Sequence, residues 1–329
     1  MSLSDYDHSP GAHCGSSSLR NLATYYDWGF DESLCFGLGA GLGFGYYEGG
    51  PASRLIMGRN GHLETNFFEH LGVAYEERSG QDWASAWGDV SARVEAGTPV
   101  MLFVDLYYLD YFGTDTHFGP HVILCVGVDG DDVVLSDSEF DERQRVSTDA
   151  LRKAWGSDHG FAPLNNRWLA VTDPALGRDL EPAARDAVDR TTELMLSPEH
   201  TDWDTQGVRG IERFAAELPT WNDLDDADWC ARFAYQNIER RGTGGGAFRR
   251  LYADFLATVG EDVDLPTGSA DRLHGIADDW TALAGTLKDA SEADESERRR
   301  LFERAGEQAS DLADRERAFF EALGASMAD

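Results

Sequence analysis

The chain has 329 residues, enough for two domains, since domains commonly hold about 100–200 residues. Hydrophobic residues make up 42% and aromatic residues 11%, which excludes general disorder. Sixty acidic against 28 basic side chains leave a net charge of −32, which excludes nucleic acid and anionic membrane surfaces as partners.

In chain order, residues 14–28 carry Leu19, Leu22, Ala23 and Tyr26 at helical spacing, and Cys14-Gly15-Ser16-Ser17 stands where that helix begins. Residues 36–47 interleave glycine with apolar side chains, which suits close backbone packing or a substrate-lining loop rather than a stable helix. Helices are predicted over 64–71 and 83–96, and residues 99–104 read as a buried strand. Two apolar runs, starting at His121 and Val133, flank Asp129-Gly130-Asp131-Asp132 and predict an antiparallel hairpin. Helical spacing returns at 147–155, and 168–172 reads as a last strand before Asp173-Pro174. Beyond about residue 179 the pattern is helical almost throughout, over 181–196, 208–217, 225–240, 247–258, 270–288 and 293–323. The expected fold class is α+β: a mixed domain over residues 1–178, then an all-α domain over 179–329.

A nucleophilic cysteine needs a lowered pKa, a base, and a group that orients the base. Cys35 and Cys125 are embedded in apolar runs and read as buried small hydrophobes, whereas Cys14 is surrounded by Gly11, His13, Gly15 and three serines at a helix N-terminus, where unpaired N–H groups favour a thiolate. His121 opens one hairpin strand and Asp137 lies near the end of its partner. With the turn centred on residue 129 they face each other, and small register changes leave them diagonal neighbours, roughly 4.5–8 Å apart on one face. Glu139, on the same face, rivals Asp137 for the orienting role. Spacing alone also leaves open an ordinary strand-edge histidine and a surface acid.

His8 and His13, even with Cys14, match no common structural zinc spacing, so no metal is expected. The segment 242–247 superficially matches G-x-G-x-x-A but follows a helix rather than a strand, so no dinucleotide site is expected. Its Gly244, Gly245 and Gly246, followed by Arg249 and Arg250, instead suggest an anion grip that folds back to the Cys14 cleft. An interhelical linker whose arginines pair with surface carboxylates is the alternative.

Several segments carry a family resemblance. They are HCGSSSLRNL from His13, DESLCFGLGAGLGF from Asp31 (which contains Glu32), DLYYLDY from Asp105, and HFGPHVILCVGVD from His117. Together these resemble the N-terminal domain of the butirosin biosynthesis protein H family, and ERRGTGGGAFRRLY from Glu239 resembles the helical domain of unknown function that follows it. The resemblance implies a papain-like fold with Cys14 as nucleophile, His121 as base and Asp137 as orienting acid, and acyl transfer from an acyl carrier protein to an amine in secondary-metabolite biosynthesis. No cofactor is implied beyond a phosphopantetheine arm on the donor, and a small acyl thioester could replace the carrier protein. Related cysteine peptidases place an oxyanion-hole glutamine six residues before the cysteine, where this chain has His8. The oxyanion would then be held by the backbone N–H of Cys14 or Gly15, or by His8 or His13. A hydrolase in which water replaces the amine, and a non-catalytic binding module on the same fold, stay open.

No apolar run long enough to span a membrane is present, and residues 1–10 carry acids where a signal peptide needs cations, so a cytoplasmic location is expected. The oligomeric state is open, with a homodimer among the options. Only Lys153 and Lys288 are lysines, and acids cluster at Asp223, Asp225, Asp226 and Asp228, a pattern that points to a salt-adapted protein. Carboxylates at this density repel in dilute buffer, while molar salt shortens the Debye length to about 3 Å. The melting temperature should therefore rise steeply with potassium chloride between dilute buffer and molar salt in a thermal-shift series. A salt-independent melting temperature would contradict the reading.

Overall fold

The structure is a computed structural model that describes residues 3, 5–159, 162–197 and 205–327. Its first elements are α1 (Cys14–Tyr25), α2 (Glu32–Leu38), β1 (Leu42–Glu48), β2 (Arg54–Arg59), α3 (Leu63–Leu71), β3 (Ala74–Arg78), α4 (Trp83–Glu95) and β4 (Val100–Val104). Next come β5 (His121–Asp129), β6 (Asp132–Ser136), β7 (Gln144–Ser147), α5 (Thr148–Trp155) and β8 (Trp168–Asp173). Helices complete the chain: α6 (Leu180–Leu196), α7 (Gly207–Glu217), α8 (Ala227–Glu239), α9 (Arg249–Val259), α10 (Ser269–Glu292) and α11 (Glu295–Met327). The fold class is α+β, with a sheet-containing N-terminal part and a helical C-terminal half. No described helix is long and apolar enough to cross a membrane.

The chain divides into two compact units, one of residues 1–35 and 72–177, the other of residues 36–71 and 178–329. The uninterrupted domain expected over 1–178 is thereby corrected, because 36–71 belongs with the helical half. Within this segment the glycine-rich stretch is the end of α2 and the strand β1, not a loop. Its glycines serve close packing: a Cβ on Gly37 would sit 1.9 Å from the Phe255 ring.

The first unit is built on a six-stranded antiparallel sheet in the order β3-β8-β4-β5-β6-β7. Side chains alternate across a strand, so Val100, Leu102 and Val104 of β4 share a face with Ile123 and Cys125 of β5, and α4 and α5 cover that face. The intervening residues Met101, Phe103, Val122 and Leu124 are buried as well, which explains why both runs read as continuously apolar. Helix α1 packs against β5, with Leu19, Leu22 and Ala23 buried.

The hairpin of β5 and β6 exists, with a register that differs from the expected one. Asp129 pairs with Asp132, so the turn is Gly130-Asp131, and an extra residue between the pairs Gly127↔Val134 and Cys125↔Leu135 makes a bulge at Val126. Ser136 then lies opposite Leu124, and Asp137 falls one residue past the end of β6, diagonal to His121 rather than directly across from it.

In the second unit, the hairpin of β1 and β2 packs with α7 and α8, and α10 runs along α8, α9 and α11. At its centre lies Arg249, the first residue of α9, which is 0% exposed. Its Nε and Nη2 donate to both oxygens of the equally buried Glu316, each at 2.8 Å, and its Nη1 donates to the carbonyls of Gly43, Gly58 and Ala247. Trp280 Nε1 donates to the same carboxylate at 2.6 Å. Arg250 donates to Asp278 and Thr281. In the preceding loop, the N–H of Gly245 donates to Thr243 Oγ1 and that of Gly246 to Glu239 Oε1, while a Cβ on Gly246 would lie 2.7 Å from Ala277.

The expected anion grip of Gly244, Gly245, Gly246, Arg249 and Arg250 is therefore corrected. Arg249 is a structural cation with its donors spent on carboxylate and carbonyl oxygens, and the glycines allow a left-handed turn against α10. Removing one partner of such a buried pair strands the other charge, at a cost of about 3–5 kcal/mol. Glu316→Gln and Arg249→Met should each lose stability of that order in urea denaturation, whereas Arg250→Ala should lose no more than about 1 kcal/mol.

Candidate active site

The site is assembled within the first unit, beginning with the turn before α1. His13 is the N-cap, in extended conformation (φ −134°, ψ 133°), and its Nδ1 accepts from the N–H of Ser16 at 3.3 Å. Glu32 clamps the same turn: its carboxylate accepts from the N–H groups of Ala12 (3.0 Å) and His13 (2.8 Å) and from Ser16 Oγ (3.0 Å). Gly11 lets the chain pass close by, since a Cβ there would sit 2.0 Å from Ser17 Oγ and 2.5 Å from the Glu32 carboxylate. Cys14 is thus held as the first residue of a well-tethered helix, half-buried, with Gly15 buried behind it.

His121 and Asp137 meet, as the diagonal register allows. His121 Nε2 lies 3.0 Å from Asp137 Oδ2, and both residues are buried. Tyr111 Oη donates to the same oxygen at 2.9 Å, and the N–H of Glu139 donates to Asp137 Oδ1 at 3.2 Å. Glu139 thus meets Asp137 through its backbone, while its residue is exposed. The acid on the imidazole is Asp137.

The electrostatics follow from these contacts. Burial alone would raise the Cys14 pKa, but the electrostatic pull of His13, hydrogen bonds with His121 and His13, and the charge of His121 hold the thiol well below its usual range. Burial alone would likewise neutralise His121, yet Asp137, with a further contribution from Cys14, raises its pKa to about 10. Asp137 is held below the usual carboxylate range, because the charge and hydrogen bond of His121 overcome its desolvation. Burial pushes the other thiols up: Cys35 well above its ordinary value, Cys125 to about 12 and Cys230 to about 11. Cys14 and His121 thus favour each other's charged forms, whereas burial disfavours the thiolate of the remaining cysteines.

His8 does not supply an oxyanion donor. Its Nε2 donates to the carbonyl of Phe140 at 2.8 Å, and its Nδ1 lies 2.7 Å from Ser136 Oγ. Tyr6 Oη and Asn21 Nδ2 both donate to that hydroxyl, so Ser136 donates to Nδ1 and His8 is fixed as the Nε2–H tautomer. With both ring nitrogens engaged on either side of Asp137, His8 braces the loop carrying the acid. Tyr6, Asn21, Tyr111 and Ser136 had no distinguishing sequence pattern, since each acts through a partner distant along the chain.

A second buried carboxylate organises the segment that presents Tyr111. Asp105 accepts from His117 Nδ1 (2.7 Å), Ser157 Oγ (2.7 Å) and the N–H groups of Tyr107 and Phe118. These bonds account for the acid at the head of the DLYYLDY segment: it ties both ends of the loop between β4 and β5.

The first unit thus carries a cysteine at a helix start and a buried histidine–aspartate pair at the end of two strands of an antiparallel sheet. The chain belongs to the family in which a butirosin biosynthesis protein H N-terminal domain, matched over residues 13–138, is followed by a domain of unknown function (DUF4872), matched over residues 149–323. No curated protein matches the chain. Among solved structures it is similar to a protein described as a C39-like peptidase from Bacillus anthracis, at 16% identity and a TM-score of 0.38, over 52% of this chain and 96% of that one.

Because its pKa is held well below the ordinary thiol value, Cys14 should be alkylated by iodoacetamide at neutral pH faster than the other three thiols. His121→Ala removes a group that lowers the thiol pKa, so that pKa should rise and the neutral-pH rate should fall. Peptide mapping after brief labelling checks both outcomes, and equal labelling of all four cysteines would contradict them.

Proposed function

We propose that the protein is an acyltransferase that carries its acyl group on Cys14. The observation that supports this reading above others is the half-buried Cys14 at the start of α1, its pKa lowered by His13 and by the buried, Asp137-paired His121. The thiolate attacks the carbonyl carbon of a thioester donor, an acyl carrier protein or a small acyl thioester with a phosphopantetheine arm. Collapse of the tetrahedral intermediate breaks the donor's C–S bond, and the His121 imidazolium gives its proton to the departing thiolate. An amine then attacks acyl-Cys14, His121 takes its proton, and the C–S bond to Cys14 breaks to leave an amide. Asp137 keeps the imidazole in the tautomer and orientation that both half-reactions need, with Tyr111 and the Glu139 N–H holding the carboxylate in turn.

An amine acceptor accords with a net charge of −32, which draws cations toward the surface. A hydrolytic outcome differs only in the second nucleophile and is separated by the same test.

Incubation with a panel of acyl thioesters should add one acyl mass to the intact protein, mapped to Cys14 and discharged faster by an amine than by water. Cys14→Ala should abolish the adduct while the protein remains folded. Asp137→Asn should lower turnover on the order of 10²–10⁴-fold, because an amide cannot stabilise the imidazolium. Discharge to water at the same rate with and without amines would replace transfer by hydrolysis.

A further inference from the structure

Asp137 Oδ2 meets two hydrogen-bond donors at once. His121 Nε2 lies 3.0 Å from it and the Tyr111 hydroxyl donates to it at 2.9 Å, while Oδ1 accepts from the N–H of Glu139. A carboxylate oxygen offers two lone pairs, so the imidazole and the phenol together fill this one. Each donor stabilises the negative charge, and the more of it the phenol draws, the weaker the pull left for an imidazolium.

Asp137 and His121 are buried, and aromatic rings close around them. Phe112 stands edge-on to His121 at 5.5 Å, and Phe140 stands edge-on to Tyr111 at 5.0 Å and to Phe112 at 5.1 Å. A hydrogen bond to a charge counts for more in such surroundings than in water. Burial, with the charge and hydrogen bond of Asp137, also holds the Tyr111 pKa well above its ordinary value, so the phenol stays a donor. The other ionisable groups acting on the imidazole or on the sulfur are Glu139, Cys14 and His13. The main chain fixes Tyr111 from behind: Leu109 is buried, and Asp105 accepts from the N–H groups of Tyr107 and Phe118 at the two ends of the loop.

We propose that Tyr111 is a positioning residue that sets the proton affinity of His121 through the Asp137 oxygen they share. By drawing part of the carboxylate charge onto its own O–H, Tyr111 loosens the hold of Asp137 on the imidazolium, so that His121 can stand as a neutral base when an amine attacks acyl-Cys14. Nε2 keeps its hydrogen on Asp137 throughout, and the proton taken from the amine goes to the other ring nitrogen, Nδ1. Without the hydroxyl, Asp137 would grip the imidazolium more tightly and His121 would part with that proton only at higher pH. The kinetic consequence rests on the acyl transfer proposed above, whereas the ionisation itself does not.

Tyr111→Phe removes the hydroxyl and keeps the ring that packs on Phe140. The His121 imidazole is titrated by NMR with isotope-labelled histidine in Cys14→Ser protein, where no thiol titrates beside it, and again with Tyr111→Phe added. Its signal is assigned by its absence when His121→Gln is introduced. The midpoint should move up by about 0.5–1 pH unit, the size expected of one hydrogen bond to a buried charge. Incorporating 3-fluorotyrosine at position 111 keeps ring and hydroxyl but strengthens the donor, and the midpoint should move down. A side chain that only fills space would not produce this graded order. An unmoved midpoint or a downward shift in Tyr111→Phe, or an upward shift with 3-fluorotyrosine, would overturn the assignment. In protein with Cys14 intact, the pH dependence of acyl discharge to an amine should move up with Tyr111→Phe by the same amount. If acyl-Cys14 does not pass to an amine, the transfer reading fails and the titration still decides the role of Tyr111.

Discussion

The Ser136 hydroxyl is the point on which the candidate site depends. Tyr6 and Asn21, both buried, donate to it, and it donates to the partly buried His8. A buried hydroxyl left without such partners costs about 1–3 kcal/mol, so the cluster holds together or loosens together. It binds the N-terminal strap and α1, which carries Cys14, to the residue immediately before Asp137. The N–H of Gly11 adds a bond to the Ser138 carbonyl on the other side of the acid. Cys14 and Asp137, more than a hundred residues apart in sequence, are thereby held in one body.

Each unit buries charge, and the comparison separates a reactive arrangement from a structural one. Arg249 and Glu316 are fully buried on each other: the guanidinium meets both carboxylate oxygens and three carbonyls, and Trp280 adds a bond to the carboxylate. At Cys14 the sulfur is half-buried, and the neighbouring His121–Asp137 pair shifts its ionisation. Perturbed ionisation at a partly exposed group distinguishes a candidate site from a staple.

The fold was legible where the pattern was local. The β5–β6 hairpin follows from two apolar runs around an Asp-Gly turn, and the bulge at Val126 that shifts its register has no local signal. Cys14, His121 and Asp137 could be selected because each residue type is required by one chemical part and each stood at a recognisable element end. Arg249 misled because a glycine-rich loop before two arginines looks alike whether the guanidinium faces water or Glu316. The segment 36–71 misled for a related reason: glycine spacing announces close packing without naming the partner, which proves to be Phe255 and Leu63 of the second unit.

The amino-acid sequence by itself determined the helices beyond about residue 179, the β5–β6 hairpin, and the placing of a thiol at a helix start. These depend on side-chain periodicity and backbone preference, which act over a few residues. Tertiary structure alone decided which hydrogen-bonding groups near that thiol were already spent. His8 and His13 are indistinguishable as letters, yet one is consumed by Ser136 and Phe140, residues 128 and 132 positions away, and the other caps the helix that begins at Cys14. Hydrogen-bond capacity is finite and shared across the fold, so what a residue has left to offer is fixed by neighbours its own segment does not contain.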